Sequence, residues 1–346
     1  MMFYKTILFC SALLTGAIIS FPSKAQPLAG KRIVVDINGG ADYRSVQAAI
    51  NSLPDSSVEP VLIYVRKGVY KEKLLIQKHH FTIEGEERET TIITQAIARD
   101  EWRCTHSDDW GVATVNITGN DITLRNLTVT NSYGFDTKNT KTIDCPLDST
   151  TRQKKIAADG HQMALRTMNN TRFKAVNCHF IAYAGDTVSP WNVDNGMFYF
   201  KDCIMEGGVD FYCPRGWAYA DHCTFIAHTG MASIWHDGSK NKDAKTVLIN
   251  CSFNGFDGFK LGRYHRDAQF YLINCSFAAN MADEDIYLVA TNNRIQWGRR
   301  VYYFNCHRQG PDYTWYANNL ELAEGNPAVN TINEGWVFGD RWKPAE

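Results

Sequence analysis

The chain has little of several things, and each shortage narrows its function. It has no excess of either charge: 36 Lys and Arg face 37 Asp and Glu in 346 residues. Setting aside residues 1–25, which contain Lys5 and Lys24, leaves 34 basic residues against the same 37 acidic ones. No basic surplus points to nucleic acid. Ten cysteines include no Cys-x-x-Cys pair, which argues against a zinc site. No dense acidic cluster demands calcium. Strand-like segments follow one another without long helical stretches, which argues against an α/β barrel or a doubly wound sheet. The composition carries no signature of disorder.

Residues 1–25 have the layout of a secretory signal. Lys5 gives a positive start, Ile7 to Phe21 an apolar stretch, and Ser23 and Ala25 small residues before a cleavage point. The apolar run is short for a membrane span, so stable insertion of the mature chain is not expected. Residues 26–346 then read as one exported domain, periplasmic or extracellular.

What the chain does have is a period. Cys178, Cys203, Cys223, Cys251, Cys275 and Cys306 are spaced by 25, 20, 28, 24 and 31 residues. Each sits in a short motif: a polar residue, Cys, one residue, then usually Phe or Met, as in KAVNCHF, YFKDCIM, YADHCTF and LINCSF twice. A repeat of this length means stacked coils with equivalent residues in columns. A β-sandwich would not give this signature, whereas a parallel β-helix does. The periodic cysteines read as buried thiols acting as small apolar residues. Cys104 and Cys145 lie off the period in loop-like sequence and are the candidates for a disulfide.

The chain opens with a strand, 33–39. A helix follows, capped by Asp42, with Val46, Ala49, Ile50 and Leu53 on one face. That helix suits the open end of a coil stack. Strands are expected at 61–65, 81–85, 91–94, 113–118 and 121–131. Residues 96–112 and 133–160 break the rhythm and read as long loops beside a binding groove. The tail from Tyr313, with Trp315, Leu320, Trp336 and Trp342, is expected to fold back as a cap.

A second column carries chemistry. Gln162, Asp186 and Asp210 are each 24 residues apart, and Arg263 follows 53 later. Neighbouring parallel strands are roughly 4.8 Å apart. Two carboxylates held that close do not ionise equally, which yields one acid and one base or nucleophile. A guanidinium keeps one of them anionic, and a Gln amide is a neutral donor for an oxyanion.

These motifs resemble those of the pectin methylesterases, carbohydrate esterases built on a right-handed parallel β-helix. GVYKEK (68–73), HQMALR (161–166), AGDTV (184–188), GGVDFY (207–212) and LGR (261–263) occur in the family's order. The resemblance implies an oxyanion donor at Gln162, an acid/base at Asp186, a nucleophile at Asp210 and its positioning arginine at Arg263. It implies pectic polysaccharide as substrate and no cofactor or metal. The chain departs from the family at Gly185, where a second Gln is usual, at Tyr264 and His265, where Pro and Trp are usual, and in FYCPRGW after Asp210. These changes suggest an altered pocket, fitted to a branched or decorated pectin. His265, Tyr133, Trp191, Tyr212 and Trp217 are candidate sugar contacts, whereas His161 and His236 read as ordinary side chains. A monomer is the expected state. The rival readings are a β-helix glycoside hydrolase and a non-catalytic glycan-binding β-helix.

Overall fold

The computed structural model describes residues 30–137, 139–290 and 292–345; the signal-like segment 1–25 lies outside them. The chain winds as a parallel β-helix. One sheet has ten strands, from Arg32–Val35 to Val301–Phe304, and a second has nine, from Gly68–Tyr70 to His307–Arg308. The third face is interrupted. It begins with Leu74–Ile76, Ala113–Ile117, Met163–Met168 and Val188–Trp191, and resumes with Ala232–His236, Lys260–Tyr264 and Tyr287–Leu288. Single bridges, Gly185 with Val209, Val188 with Tyr212 and Tyr212 with Ile234, carry it across the gap.

The coils turn between the first two sheets at a residue in the left-handed region. Asn126, Asn177, Asp202, His222, Asn250, Asn274 and Asn305 have φ between 51° and 54°. Asn and Asp tolerate this conformation better than other side chains, because they bond locally. Their side chains also form rungs along the stack: Asn305 Nδ2 donates to Asn274 Oδ1 at 2.8 Å, and Asn274 Nδ2 to Asn250 Oδ1 at 3.3 Å. This corner is why a polar residue precedes each periodic cysteine. The cysteine that follows turns inward, buried and unbridged. The thiols of Cys203, Cys251, Cys275 and Cys306 point at a carbonyl of the preceding coil, as in Cys275 to Leu248 at 3.5 Å and Cys306 to Leu272 at 3.3 Å. Two residues on, the column of Phe180, Met205, Phe225, Phe253 and Phe277 fills the core. Phe225 and Phe253 stack with centroids 4.6 Å apart.

The first strand is shorter than expected, Arg32–Val35, and the helix is Val46–Asn51. Asp42 does not cap it. Its carboxylate accepts from Val34 N at 2.8 Å, while Ser45 is the N-cap, its hydroxyl accepting from Ala48 N. Glu72 completes the cap from a neighbouring segment, accepting from Ser45 Oγ, Val46 N and Gln47 N. A carboxylate suits the positive end of a helix. The apolar face, Val46, Ala49, Ile50 and Leu53, is buried as the pattern requires. At the other end Tyr316 packs on Phe277, and Trp336, Phe338 and Trp342 cover the outer face of the ten-stranded sheet.

The two long loops are joined by the Cys104–Cys145 disulfide. They contain the short helix Arg99–Arg103 and the antiparallel pair Lys141–Asp144 with Gln153–Ile156. Lys141 pairs with Glu101, and Lys154 with Asp100 at 3.6 Å, so the loops brace each other.

The thiol column, together with the equally buried Cys213, gives a direct check. In protein lacking residues 1–29, a thiol reagent such as Ellman's should find almost no reactive cysteine in the native state and seven after denaturation. Cys104 and Cys145 should add two only after reduction. Rapid native labelling of the periodic cysteines would contradict their burial.

Candidate active site

Asp186 and Asp210 each lie two residues before a bridge position on the interrupted face, Val188 and Tyr212. Both sit in the left-handed region, with φ of 61° and 50°. Such conformations cost energy in a side-chain-bearing residue and persist only where surrounding bonds impose them. Here Asp186 N donates to Val209 O at 3.3 Å and Asp210 N to Ala232 O. The pairing of Gly185 with Val209 sets the two aspartates side by side on adjacent coils.

Arg263 lies in Lys260–Tyr264, where it pairs in register with Trp235 rather than with the coil of Asp210. Its side chain runs back across that coil. Nε donates to Asp210 Oδ1 at 2.9 Å and Nη2 to Oδ2 at 2.7 Å, a bidentate pair. Asp210 is only 8% exposed. Burial pushes its pKa up; Arg263 pulls it down, while Asp186 and Asp237 push the same way as burial, and the result is about 6. Desolvation therefore outweighs the guanidinium.

The aspartates open on a cleft of about 360 Å³ lined also by Arg99, Arg103, Asp109, His161, Arg166, Trp191, Arg215, Trp235 and Asp237. The braced loops supply one wall. Arg103 is bidentate to Asp109, at 2.6 Å for both bonds, and Arg99 N donates to His161 O at 2.9 Å. Beneath Trp191 lie two buried guanidiniums. Arg166 and Arg215 both donate to Ser189 Oγ, at 2.7 and 3.0 Å, and both stand under the indole, at 4.5 and 4.4 Å from its centre. Arg215 is paired with Asp237, but among the described residues Arg166 has no carboxylate within ion-pair distance, and its Nε is buried without a hydrogen bond. Burial, with Arg215 alongside, lowers the Arg166 pKa to about 10.

Three of the four predicted catalytic residues, Asp186, Asp210 and Arg263, therefore converge. Gln162 does not join them. It is fully buried, its Oε1 accepting from Gly134 N at 2.9 Å and its Nε2 donating to Ala158 O. Its amide braces the loop instead of facing the cleft. Among the expected sugar contacts, Tyr133, Tyr212 and Trp217 are buried and offer no ring face to a ligand. Tyr212 fills the core between Phe200 and Phe225. Trp217 belongs to the ten-stranded sheet, with Arg341 over its ring. Trp191 and His265 do line an open surface, together with Asp237, Lys240 and Arg266.

Sequence reasoning missed Trp235 and Asp237. Trp235 stacks on His265 with centroids 4.7 Å apart, and its Nε1 donates to Asp237. It stands 25 residues after Asp210, so the coil period could have placed it in the catalytic column. Arg166 lies in HQMALR and Arg215 in FYCPRGW, where neither residue type nor spacing signals a cleft position. Among the described residues, no group of three or more His, Cys, Asp or Glu is arranged to hold a metal ion.

Comparison with known proteins gives a consistent result. The pectinesterase family profile matches residues 32–179. Probable pectinesterase 8 of Arabidopsis thaliana is 24% identical over 342 residues, covering 93% of this chain and 79% of the relative. Pectinesterase QRT1 of the same plant is 23% identical over 90% of this chain and 78% of its own length. Among solved structures, pectin methylesterase PemA from Erwinia chrysanthemi superposes with a TM-score of 0.68 at 20% identity, covering 92% of this chain and 99% of that one. The deglycosylated pectin methylesterase from Aspergillus niger gives 0.67 at 20% identity, covering 93% and 96%. At these identities the structures establish the fold.

The electrostatics of Asp210 are measurable without a substrate. Carboxyl-carbon NMR should follow Asp210 titrating near pH 6. Arg263→Met, which removes the group that lowers it, should move the midpoint upward. An ordinary carboxylate midpoint in both proteins would refute the burial argument.

Proposed function

The chain belongs to the pectinesterase family, and from that premise we propose that it hydrolyses C6 methyl esters of galacturonosyl residues in pectin. The observation that carries this reading is the bidentate Arg263–Asp210 pair with Asp186 on the adjacent coil, at the floor of an open cleft.

Asp210 is the nucleophile. Arg263 holds both of its oxygens, fixing its orientation and opposing its protonation. Attack on the ester carbonyl carbon gives a tetrahedral intermediate. As this collapses, methanol leaves with a proton from Asp186, and an acyl-Asp210 ester remains. Asp186, now a carboxylate, takes a proton from water, whose oxygen attacks the acyl carbon and releases Asp210. The sum is ester plus water to carboxylic acid plus methanol. A substrate that is itself polyanionic suits a cleft walled by Arg99, Arg103, Arg166 and Arg215. Trp191, lying over two guanidiniums, offers a rigid face for a sugar ring.

The finer assignments belong to the same proposal. The pocket around His265, Lys240 and Arg266 is where a branched or decorated pectin would be distinguished from a linear one. Export of the mature chain is supported by the signal-like residues 1–25 and by the Cys104–Cys145 disulfide, since such bonds persist in oxidising compartments.

The test is methanol release from methyl-esterified homogalacturonan and from a branched rhamnogalacturonan preparation, with chelator present and reducing ends counted in parallel. Wild type should release methanol without new reducing ends. Asp210→Asn and Asp186→Asn should each lose at least about 10³-fold in kcat. Because Asp210 must be ionised to attack, kcat/KM should fall about tenfold per pH unit below about 6. New reducing ends without methanol would point to a glycoside hydrolase. Full activity in Asp210→Asn would remove the assigned nucleophile.

A further inference from the structure

Ester hydrolysis needs a donor for the oxyanion, and the two positions from which the family resemblance leads one to expect it do not supply it here. Gln162 is turned into the loop, and residue 185 is glycine. The geometry points to His161 as the oxyanion donor of this enzyme, its imidazole standing beside the place where a side chain at 185 would enter the cleft.

Five observations support it. A Cβ built on Gly185 would meet Val209 at 3.0 Å and the imidazole Cδ2 of His161 at 3.6 Å, so the imidazole already stands beside the place a residue-185 side chain would enter. His161 lines the catalytic cleft with Asp186 and Asp210, and its side chain is 42% exposed to that opening. Its tautomer is fixed. Arg99 Nη2 lies 3.1 Å from Nδ1, and a guanidinium has only donors, so Nδ1 accepts and the proton resides on Nε2. That Nε2–H points toward the acid/base side of the cleft, 3.9 Å from Asp186 Oδ1. The gap is too long for a direct hydrogen bond and leaves the donor available to a third group. The ring is also kept neutral: burial lowers its pKa, ahead of the opposing pull of Asp186, and Arg99 acts with burial. A neutral imidazole donating one N–H is suited to a developing oxyanion, because it stabilises the charge without surrendering its proton.

The step follows from the mechanism proposed above, on which this inference rests. As an Asp210 oxygen bonds to the ester carbon, the carbonyl π pair moves onto oxygen. His161 Nε2–H donates a hydrogen bond to that oxygen and keeps its proton. The pair returns when methanol leaves, taking the proton of Asp186. The same donor serves again when water adds to the acyl-enzyme. Arg99 is a positioning residue: it touches the imidazole and sets which nitrogen bears the proton.

The experiment compares wild type, His161→Phe, His161→Gln and Asp210→Asn in methanol release from methyl-esterified homogalacturonan, with thermal unfolding as a check on folding. His161→Phe keeps a ring but has no donor. It should lose about 10²–10³-fold in kcat with KM changed less than about threefold. His161→Gln restores a neutral N–H and should recover to within about tenfold of wild type. Activity of His161→Phe within threefold of wild type would overturn the assignment while leaving the esterase reading intact. So would His161→Gln as slow as His161→Phe, since donation would then not be what matters. Absence of methanol release by folded wild type would overturn both.

Discussion

Parallel stacking in register is the constraint on which the rest depends. Each coil must return its strands to the hydrogen-bonding positions of the one before, and this fixes where the chain turns and which residues share a column. The left-handed Asn and Asp corners, the inward cysteines and the aromatic core column all follow from it. So does the site. Asp186 and Asp210 are distant in sequence by one full coil, yet the pairing of Gly185 with Val209 makes them neighbours. The interrupted face is where that regularity is relaxed. Single bridges replace continuous strands there, and the left-handed aspartates lie at the break.

Within the cleft the balance is between burial and charge. Asp210 loses water and gains a bidentate guanidinium, and the loss wins. Nearby, Arg166 and Arg215 share one serine hydroxyl under one indole, although like charges repel. Asp237 neutralises only one of them, leaving a net cation beside the acidic pair. Burying an incompletely neutralised guanidinium is costly, and in the proposed function an anionic sugar chain would supply the missing partner.

Much of this was legible in the sequence because the repeat converts spacing into geometry. The Cys-x-Phe period identified stacked coils, and 24-residue steps put Asp186 beside Asp210. Arg263 was legible as a column member, but its diagonal reach from the register of Trp235 was not. Gln162 failed because a period locates a backbone position and says nothing about which way the side chain turns; one residue earlier, His161 faces the opening instead. The aromatics failed for a similar reason. Tyr212 and Trp217 follow Asp210 closely, yet alternation and the turn to the next sheet send them into the core and onto another face. Cys104 and Cys145 were legible by exclusion from the period and are indeed bridged. The helix cap falls at Ser45 and not at Asp42, because the Asp42 carboxylate is taken by Val34 N of the first strand, a contact the local sequence does not show.

The cysteine column has a consequence for how the protein ends its life. Among the described residues seven thiols, the six of the column and Cys213, stay buried within the coils, while the Cys104–Cys145 disulfide holds the loop wall. Unfolding in an oxidising medium would expose all of them to Cys104 and Cys145 at once, and exchange would scatter the single native bridge among many wrong ones. Reversal would then require every coil to close before any thiol found a partner. In such a medium the working lifetime would follow how rarely the stack opens, a rate rather than an equilibrium.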